Sequence, residues 1–290
     1  MKIMVGLPWY MGPDDNTFPL YFALMNYFGA LRERSLWRDK IGPEQFGEIM
    51  ANGMPPLDET RGDEGLAEPT EEDWERLGVV QFGLANYSRT SLVGKARENV
   101  VDAALDWNAD YILWWDADMR FEYSAFMRLW RHQLPVVGAL AFTAREPFHP
   151  VIYRIYTTKD EQNGGIDRLD SDVMFSYPKN QLMGNDHVDG ELAFGAGVML
   201  TDVAVFKEVP KPWFASTGCG EDWFFCHRCS QFGISRHVDT GVRSHHKEHA
   251  ARWSSEETYE QMLQVMPDAY TNTFGRIQDW GKVAEGQLSQ

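Results

Sequence analysis

Apolar residues recur along this chain in two rhythms, one of period two or unbroken, one of period three to four. Residues 2–7 form a short β-rich apolar run that Pro8 ends, because proline cannot donate to a ladder. Over 18–31, Leu20, Leu24, Tyr27, Phe28 and Leu31 return at helical spacing. Residues 79–82 predict a second short strand. Leu92, Ala96, Val100, Ala103 and Ala104 mark an amphipathic helix over 91–105, broken at Asn108-Ala109-Asp110. Residues 111–115, Tyr-Ile-Leu-Trp-Trp, predict a strand. Ser124 is placed to cap a helix through Trp130, and 135–142 is a further strand. This alternation over the first 150 residues predicts an α/β fold with a mostly parallel central sheet flanked by helices. The second half is less regular. It predicts strands at 151–157 and 192–200 and a helix at 222–232. Ser254-Ser255-Glu256-Glu257 resembles a capping box that opens a helix to Met266, before Pro267.

Charge changes the picture in one segment. Of the 290 residues, 43% are hydrophobic, and the formal net charge is -16. That balance disfavours non-specific attraction to nucleic acid or anionic lipid. The acids crowd residues 58–76, where Asp58, Glu59, Asp63, Glu64, Glu68, Glu71, Glu72, Asp73 and Glu75 face only Arg61 and Arg76. With Pro55, Pro56, Gly62, Gly65 and Pro69 among them, 42–76 reads as a surface loop or insertion. No apolar run is long enough for a membrane span, and the first residues do not form a signal peptide. Three cysteines do not suggest a disulfide framework, which favours a reducing, cytoplasmic setting.

The chemistry gathers after the strand at 111–115. Asp116 and Asp118 follow an apolar run, and buried charge is costly unless paired or metal-bound. In extended geometry an Asp-x-Asp pair sends both side chains to one side. Two hard oxygen ligands there suit Mg²⁺ or Mn²⁺, which commonly bridge to substrate phosphates. In open α/β sheets, ligands bind beyond the carboxyl ends of the strands, where these acids fall. Downstream, Gly195 and Gly197 allow close backbone approach. Glu221 and Asp222 open a helix, as dipole complements or as a carboxylate base. His245 and His246 follow a strand.

Other chemistries fit less well. A nucleotidyltransferase needs a Gly-rich phosphate loop with a basic residue after the first strand, and residues 8–15 carry neither. A dinucleotide oxidoreductase needs a G-x-G-x-x-G fingerprint that residues 194–200 match only in part. A non-catalytic zinc-containing interaction module would use Cys219, Cys226, His227 and Cys229, but Cys219 lacks a close partner.

In this order, the segments Leu92–Arg97, Asp110–Phe121, Pro135–Ala139, Gly195–Leu200, Pro212-Trp213-Phe214, Gly220–Cys226 and Val238–His246 resemble the GT-A glycosyltransferases with a DxD motif, in particular a family-2-like subgroup common in bacteriophages. The resemblance spans about residues 79–246. It implies a Rossmann-like domain over 1–250 followed by a C-terminal helix and tail over 251–290. It implies a nucleotide-diphosphate sugar as donor, UDP-sugar favoured, with Mn²⁺ or Mg²⁺. By motif match Asp118 resembles a metal ligand, and Asp116 its partner toward the metal or the ribose. His246 falls at the family's metal-binding His, with His245 beside it as the alternative. Asp222 resembles the general base, with Glu221 as neighbouring candidate. Pro8, Trp9 and Tyr10 lie where the nucleotide base sits, and Arg97 is placed for a diphosphate or base contact. A hydroxymethylated base in phage DNA is the acceptor the subgroup suggests. A basic groove for it would have to come from Arg128, Arg131, His132, Arg145, Arg154 and Lys159, or from Arg236, Arg243, Lys247 and Arg252.

Overall fold

The computed structural model describes residues 1–7, 18–52, 68–86, 92–122, 124–160, 166–215, 220–247 and 253–265. In chain order these form β1 (Lys2–Leu7), α1 (Phe18–Ile41), α2 (Pro43–Ala51), α3 (Glu71–Leu77), β2 (Gln81–Asn86), α4 (Val93–Trp107), β3 (Tyr111–Trp115), β4 (Met119–Phe121), α5 (Ser124–Arg131) and β5 (Val136–Leu140). There follow β6 (Ile152–Asp160), β7 (Ile166–Val173), β8 (Leu182–Gly184), β9 (Glu191–Phe194), β10 (Val198–Asp202), α6 (Val205–Glu208), α7 (Glu221–Gln231), β11 (Arg236–Lys247), β12 (Trp253–Ser254) and α8 (Glu256–Val265).

The fold is α/β, and its main sheet is mixed rather than mostly parallel. The strand order is β12-β11-β5-β10-β3-β1-β2. β1 runs parallel to β2 and β3, and β5 parallel to β11, but β10 lies antiparallel between β3 and β5. The single strand expected over 192–200 is two strands in two sheets. β9 joins the three-stranded sheet β7-β6-β9, the chain turns at 195–197, and β10 enters the main sheet. Gly195 and Gly197 make that turn possible. A Cβ on Gly195 would sit 2.9 Å from Val151 Cγ1, and one on Gly197 3.0 Å from Met119 Cγ. A run of apolar residues carries no mark of a sheet change. The glycines do, since they leave room for close backbone approach.

Strand alternation sends side chains to two cores. Ile3 and Val5 of β1 and Leu113 and Trp115 of β3 face α1 and α5, packing with Leu24, Phe28, Phe126 and Trp130. Met4, Ile112 and Trp114 face the other way, against Val100, Val101 and Ala104 of α4. α4 ends where Asn108 adopts the left-handed conformation at φ 54°, the break expected at that residue.

The acidic segment, expected as a loop, is helical at both of its described ends, α2 and α3. Thr70 caps α3 in a reciprocal box with Asp73. Arg131 donates to the Asp73 carboxylate and to the Glu68 carbonyl, both at 2.8 Å, and Arg34 reaches Glu68 at 2.6 Å. Excess acid reads as solvated loop in a local window, yet distant arginines hold Glu68 and Asp73 against the fold; residues 53–67 lie outside the described residues. Helix α8 packs against the body of the fold. Tyr259 of α8 is buried against Phe142 and donates to the Phe175 carbonyl.

Candidate active site at the carboxyl ends of the strands

Trp114 and Trp115 set the position of the two acids. The Trp114 indole donates to Thr201 Oγ1 at 3.1 Å across to β10, and the Trp115 indole to the Met119 carbonyl at 2.9 Å. Between them the chain leaves β3 in a turn, not in the extended geometry expected of the pair. Asp116 N donates to the Gly197 carbonyl at 2.9 Å, Met119 N to the Asp116 carbonyl at 3.0 Å, and Lys247 N to the Asp118 carbonyl at 2.8 Å. The turn is pinned from three sides, and it sends the two carboxylates to different partners.

Asp116 belongs to a buried ion cluster. Arg97 is 1% exposed, and its guanidinium lies 2.9 Å from Asp116 Oδ2, 3.5 Å from Asp222 Oδ1 and 3.6 Å from Glu221 Oε1. It also donates to the Ala196 carbonyl at 3.4 Å, between the two glycines. Arg97 is therefore the hub beneath the acids, whereas the neighbouring Lys95 is solvated. Burial pushes the Asp222 carboxyl up to about 7; Arg97 opposes this, while Glu221 and Asp116 add to it. Burial likewise raises the Asp116 carboxyl above its ordinary range, against the pull of Arg97 and with the push of Asp118. Asp116 Oδ1 is buried and has no hydrogen-bond partner among the described residues.

Asp118 faces His246 instead, with Oδ2 3.1 Å from Nε2. β4 pairs antiparallel with β11, setting Met119 opposite His246, so the turn and the imidazole share one edge. His246 Nδ1 is 2.9 Å from the Phe142 carbonyl, which fixes Nδ1 as the donor and turns Nε2 toward the carboxylate. Burial lowers the His246 pKa, but Asp118 outweighs it and holds the imidazole above its usual range. Burial raises Asp118, and His246 in turn brings it below the ordinary carboxylate value. His245, one residue earlier on the strand, lies near Glu257 and Arg120, and burial holds it below the usual imidazole range. Of the two histidines, only His246 is beside the acids.

These groups fit a divalent cation in part. Among the described residues no three His, Cys, Asp or Glu side chains converge to hold a metal by themselves. Asp118 and His246 offer one oxygen and one nitrogen on an open edge. That suits a cation that takes its remaining ligands from water and phosphate. A carbonyl-anchored imidazole is the usual form of a ligating histidine.

Helix α4 positions this centre with three residues on one face. Gly94 lets the Phe214 backbone approach, since a Cβ there would lie 2.8 Å from its carbonyl oxygen. Arg97 holds the carboxylates. Glu98, buried, accepts from the amides of Trp213 at 2.6 Å and Phe214 at 2.7 Å, fixing the segment that leads into α7. Its role escapes a local reading, because its partners are backbone amides 115 and 116 residues away. Glu98→Ala strands two buried donors and is expected to cost roughly 3 kcal/mol, read as a lower urea midpoint at unchanged m-value.

The remaining candidates divide sharply. Pro8, Trp9, Tyr10 and Cys219 lie outside the described residues. Cys226 and Cys229 are buried in α7, and burial pushes the Cys226 thiol up to about 11. They pack as small apolar residues. Five of the ten basic residues proposed for a nucleic-acid groove pair with acids of the chain. Arg131 pairs with Asp73, Arg128 and His132 with Asp239, Arg154 with Asp172, and Arg243 with Glu256. Arg236 is buried and bonds to Leu192, Ile234 and Asn185. Arg252 lies outside the described residues.

Beside His246 opens a cleft of about 500 Å³ that the sequence did not disclose, lined by the 143–147 loop, His149, Val151 and Tyr153. Val151 Cγ1 and Asp222 Oδ2 are both within 4 Å of where a Gly195 Cβ would lie. No described helix is long and apolar enough to cross a membrane.

No family model matches the chain, and no curated protein matches it. Among solved structures the chain is similar to A197 from STIV, with 13% identity over 63% of this chain and 80% of that one and a TM-score of 0.40. It is also similar to mannose-1-phosphate geranyltransferase from Thermus thermophilus, with 14% identity over 60% of this chain and 58% of that one and a TM-score of 0.28. Both likenesses are too distant to assign a function, which rests on the residues themselves.

Proposed function

We propose that this chain is a GT-A-type glycosyltransferase that moves a sugar from a nucleotide-diphosphate donor, UDP-sugar favoured, to an acceptor hydroxyl. One observation carries the reading: Asp222 and Asp116 flank the glycine turn 195–197, and the Asp118–His246 pair lies at the same end of β3, just beyond Asp116. That end of the strands is where open α/β sheets bind ligands.

Asp118 and His246 would hold Mn²⁺ or Mg²⁺, and the cation would supply charge neutralisation on the leaving diphosphate. The protein does the rest. The glycine turn sets Asp222 and Asp116 close to one another along the backbone, beside the place proposed for the donor sugar. Asp222 accepts the proton of the acceptor hydroxyl as the acceptor oxygen bonds to the anomeric carbon and the nucleoside diphosphate departs with the electron pair of the broken C–O bond. Arg97 keeps Asp222 and Asp116 in place and limits the repulsion among the three acids.

Nucleotide release from UDP-, GDP- and TDP-sugars with Mn²⁺, with and without EDTA, tests the reading. Release from one donor, abolished by EDTA, is expected; no release and no donor binding by calorimetry overturns it. The pH profile is a separate prediction. Asp222 must be ionised to act as base, and its pKa is raised to about 7. The rate is therefore expected to fall below pH 7, by about tenfold per unit of pH. Asp222→Asn should remove that limb along with most of the rate.

A further inference from the structure

A second cleft opens at the amino end of β3, at the other end of the strand from Asp116. Its volume is about 520 Å³, and its walls carry charge of both signs. The sheet gathers the acids. Tyr111 opens β3 and pairs in register with Asp202 of β10. Val203 N donates to the Asp110 carbonyl at 2.9 Å, so Asp110 and Asp202 come to the same phenol from two strands. Each acid keeps one oxygen on a backbone amide: Asp110 Oδ2 accepts from Lys2 N at 2.6 Å, and Asp202 Oδ1 from Ala204 N at 2.8 Å. Burial raises the Tyr111 phenol above its ordinary value; Asp202 and Asp110 add to this, and Arg76 opposes it. The hydroxyl is therefore protonated, and it has no hydrogen-bond partner among the described residues.

The helices supply donors to the same cleft. Arg76 of α3 lies over the Trp130 ring, 5.1 Å from its centroid, and its contact with Glu72 is loose at 3.9 Å. Trp130 of α5 is 2% exposed, and its Nε1 is buried with no hydrogen-bond partner among the described residues. A buried donor left unpaired is costly, so a missing acceptor is the simplest account of it. Lys207 of α6 lines the cleft without a side-chain partner among the described residues. Two cations and two carboxylates thus share one cleft, and neither cation pairs with either acid among the described residues. A ligand of one sign would meet its own sign on these walls. A ligand carrying both signs meets the opposite charge at each end.

We infer that this cleft binds a small dipolar molecule, its ammonium meeting Asp110, Asp202 and Tyr111 and its carboxylate or phosphate meeting Arg76, Lys207 and the Trp130 indole N–H. The site stands apart from the proposed transfer centre and does not depend on it.

Binding is measured on the whole chain by ligand-observed NMR with γ-aminobutyrate and phosphoethanolamine, beside butylamine, butyrate, inorganic phosphate and glucose. One or both dipolar probes are expected to bind at least about tenfold more tightly than any of the other four. Which of the two binds separates a carboxylate ligand from a phosphate one. Lys207→Ala and Asp202→Asn should each weaken that binding about tenfold. Lys207 is exposed, and asparagine keeps an oxygen for the Ala204 amide, so neither change disturbs the fold. Trp130→Phe keeps the ring, removes the N–H and should weaken binding as well. Butylamine, butyrate or phosphate binding as tightly as the dipolar probes marks a site for a single charge and overturns the inference. Glucose binding best, or no probe binding, overturns it too. So does dipolar binding that is unchanged in both charge variants, because the probe then sits elsewhere.

Discussion

Asp118→Ala is expected to lower metal-dependent nucleotide release by roughly 10²–10³-fold and to leave the unfolding transition nearly unchanged. The asymmetry follows from where the side chain sits. Asp118 is 55% exposed, and its side chain bonds to His246 on the open edge. Removing it strands no buried donor, because His246 keeps its bond to the Phe142 carbonyl and can turn Nε2 to water. The turn itself is held by backbone and indole bonds that the substitution does not touch. Catalysis has no such reserve, because the carboxylate is one of only two protein ligands proposed at this edge. The histidines sharpen the test. His246→Ala should raise the Mn²⁺ concentration needed for half-maximal release, whereas His245→Ala, near Glu257 on the other side of β11, should not. Full activity in Asp118→Ala, or equal effects of the two histidines, would show that the metal is held elsewhere.

Arg97→Met should carry the largest stability loss of any single change at this site, about 3–5 kcal/mol. The methionine fills much of the same space but leaves Asp116, Asp222 and Glu221 without their shared cation. The loss should depend on pH, with a definite sign. In the folded protein burial raises Asp222 to about 7, well above the ordinary carboxylate range, so the native state holds a proton that the unfolded chain releases. Stability from this group is therefore fully present below the ordinary carboxylate range and declines as pH rises toward 7. Removing Arg97, the main group that draws the carboxyl down, extends this window upward. The variant's deficit relative to the parent should then be small at pH 5 and large at pH 8, measured by urea unfolding at both values. A deficit independent of pH would show that packing against Trp114 and Phe214, not charge, explains the role of Arg97.

Much of this protein is set by its sequence alone. The strand at 111–115, the helices at 93–107, 221–231 and 256–265, and the break at Asn108 all follow from local patterns of apolar spacing, caps and turn residues. These are short-range effects, legible wherever side chains within one or two turns decide the backbone. The acids at 116 and 118, the glycines at 195 and 197 and the acids opening α7 are also legible, and the fold gathers them at one edge.

Tertiary structure decided what they face. The sheet is mixed because a turn at Gly195–Gly197 hands the chain from one sheet to the other, a choice made by space around Val151 and Met119. Arg97 became a buried hub, and His246, not His245, became the neighbour of Asp118, through the register of β4 on β11. The described end of the acidic segment, Glu68 and Asp73, is held by Arg34 and Arg131 of other helices. Of the cations considered for a basic groove, this pairing takes Arg131. Glu98 and the cleft beside His246 went unseen for one reason: burial and long-range pairing depend on which elements pack together, and no window of sequence contains both partners.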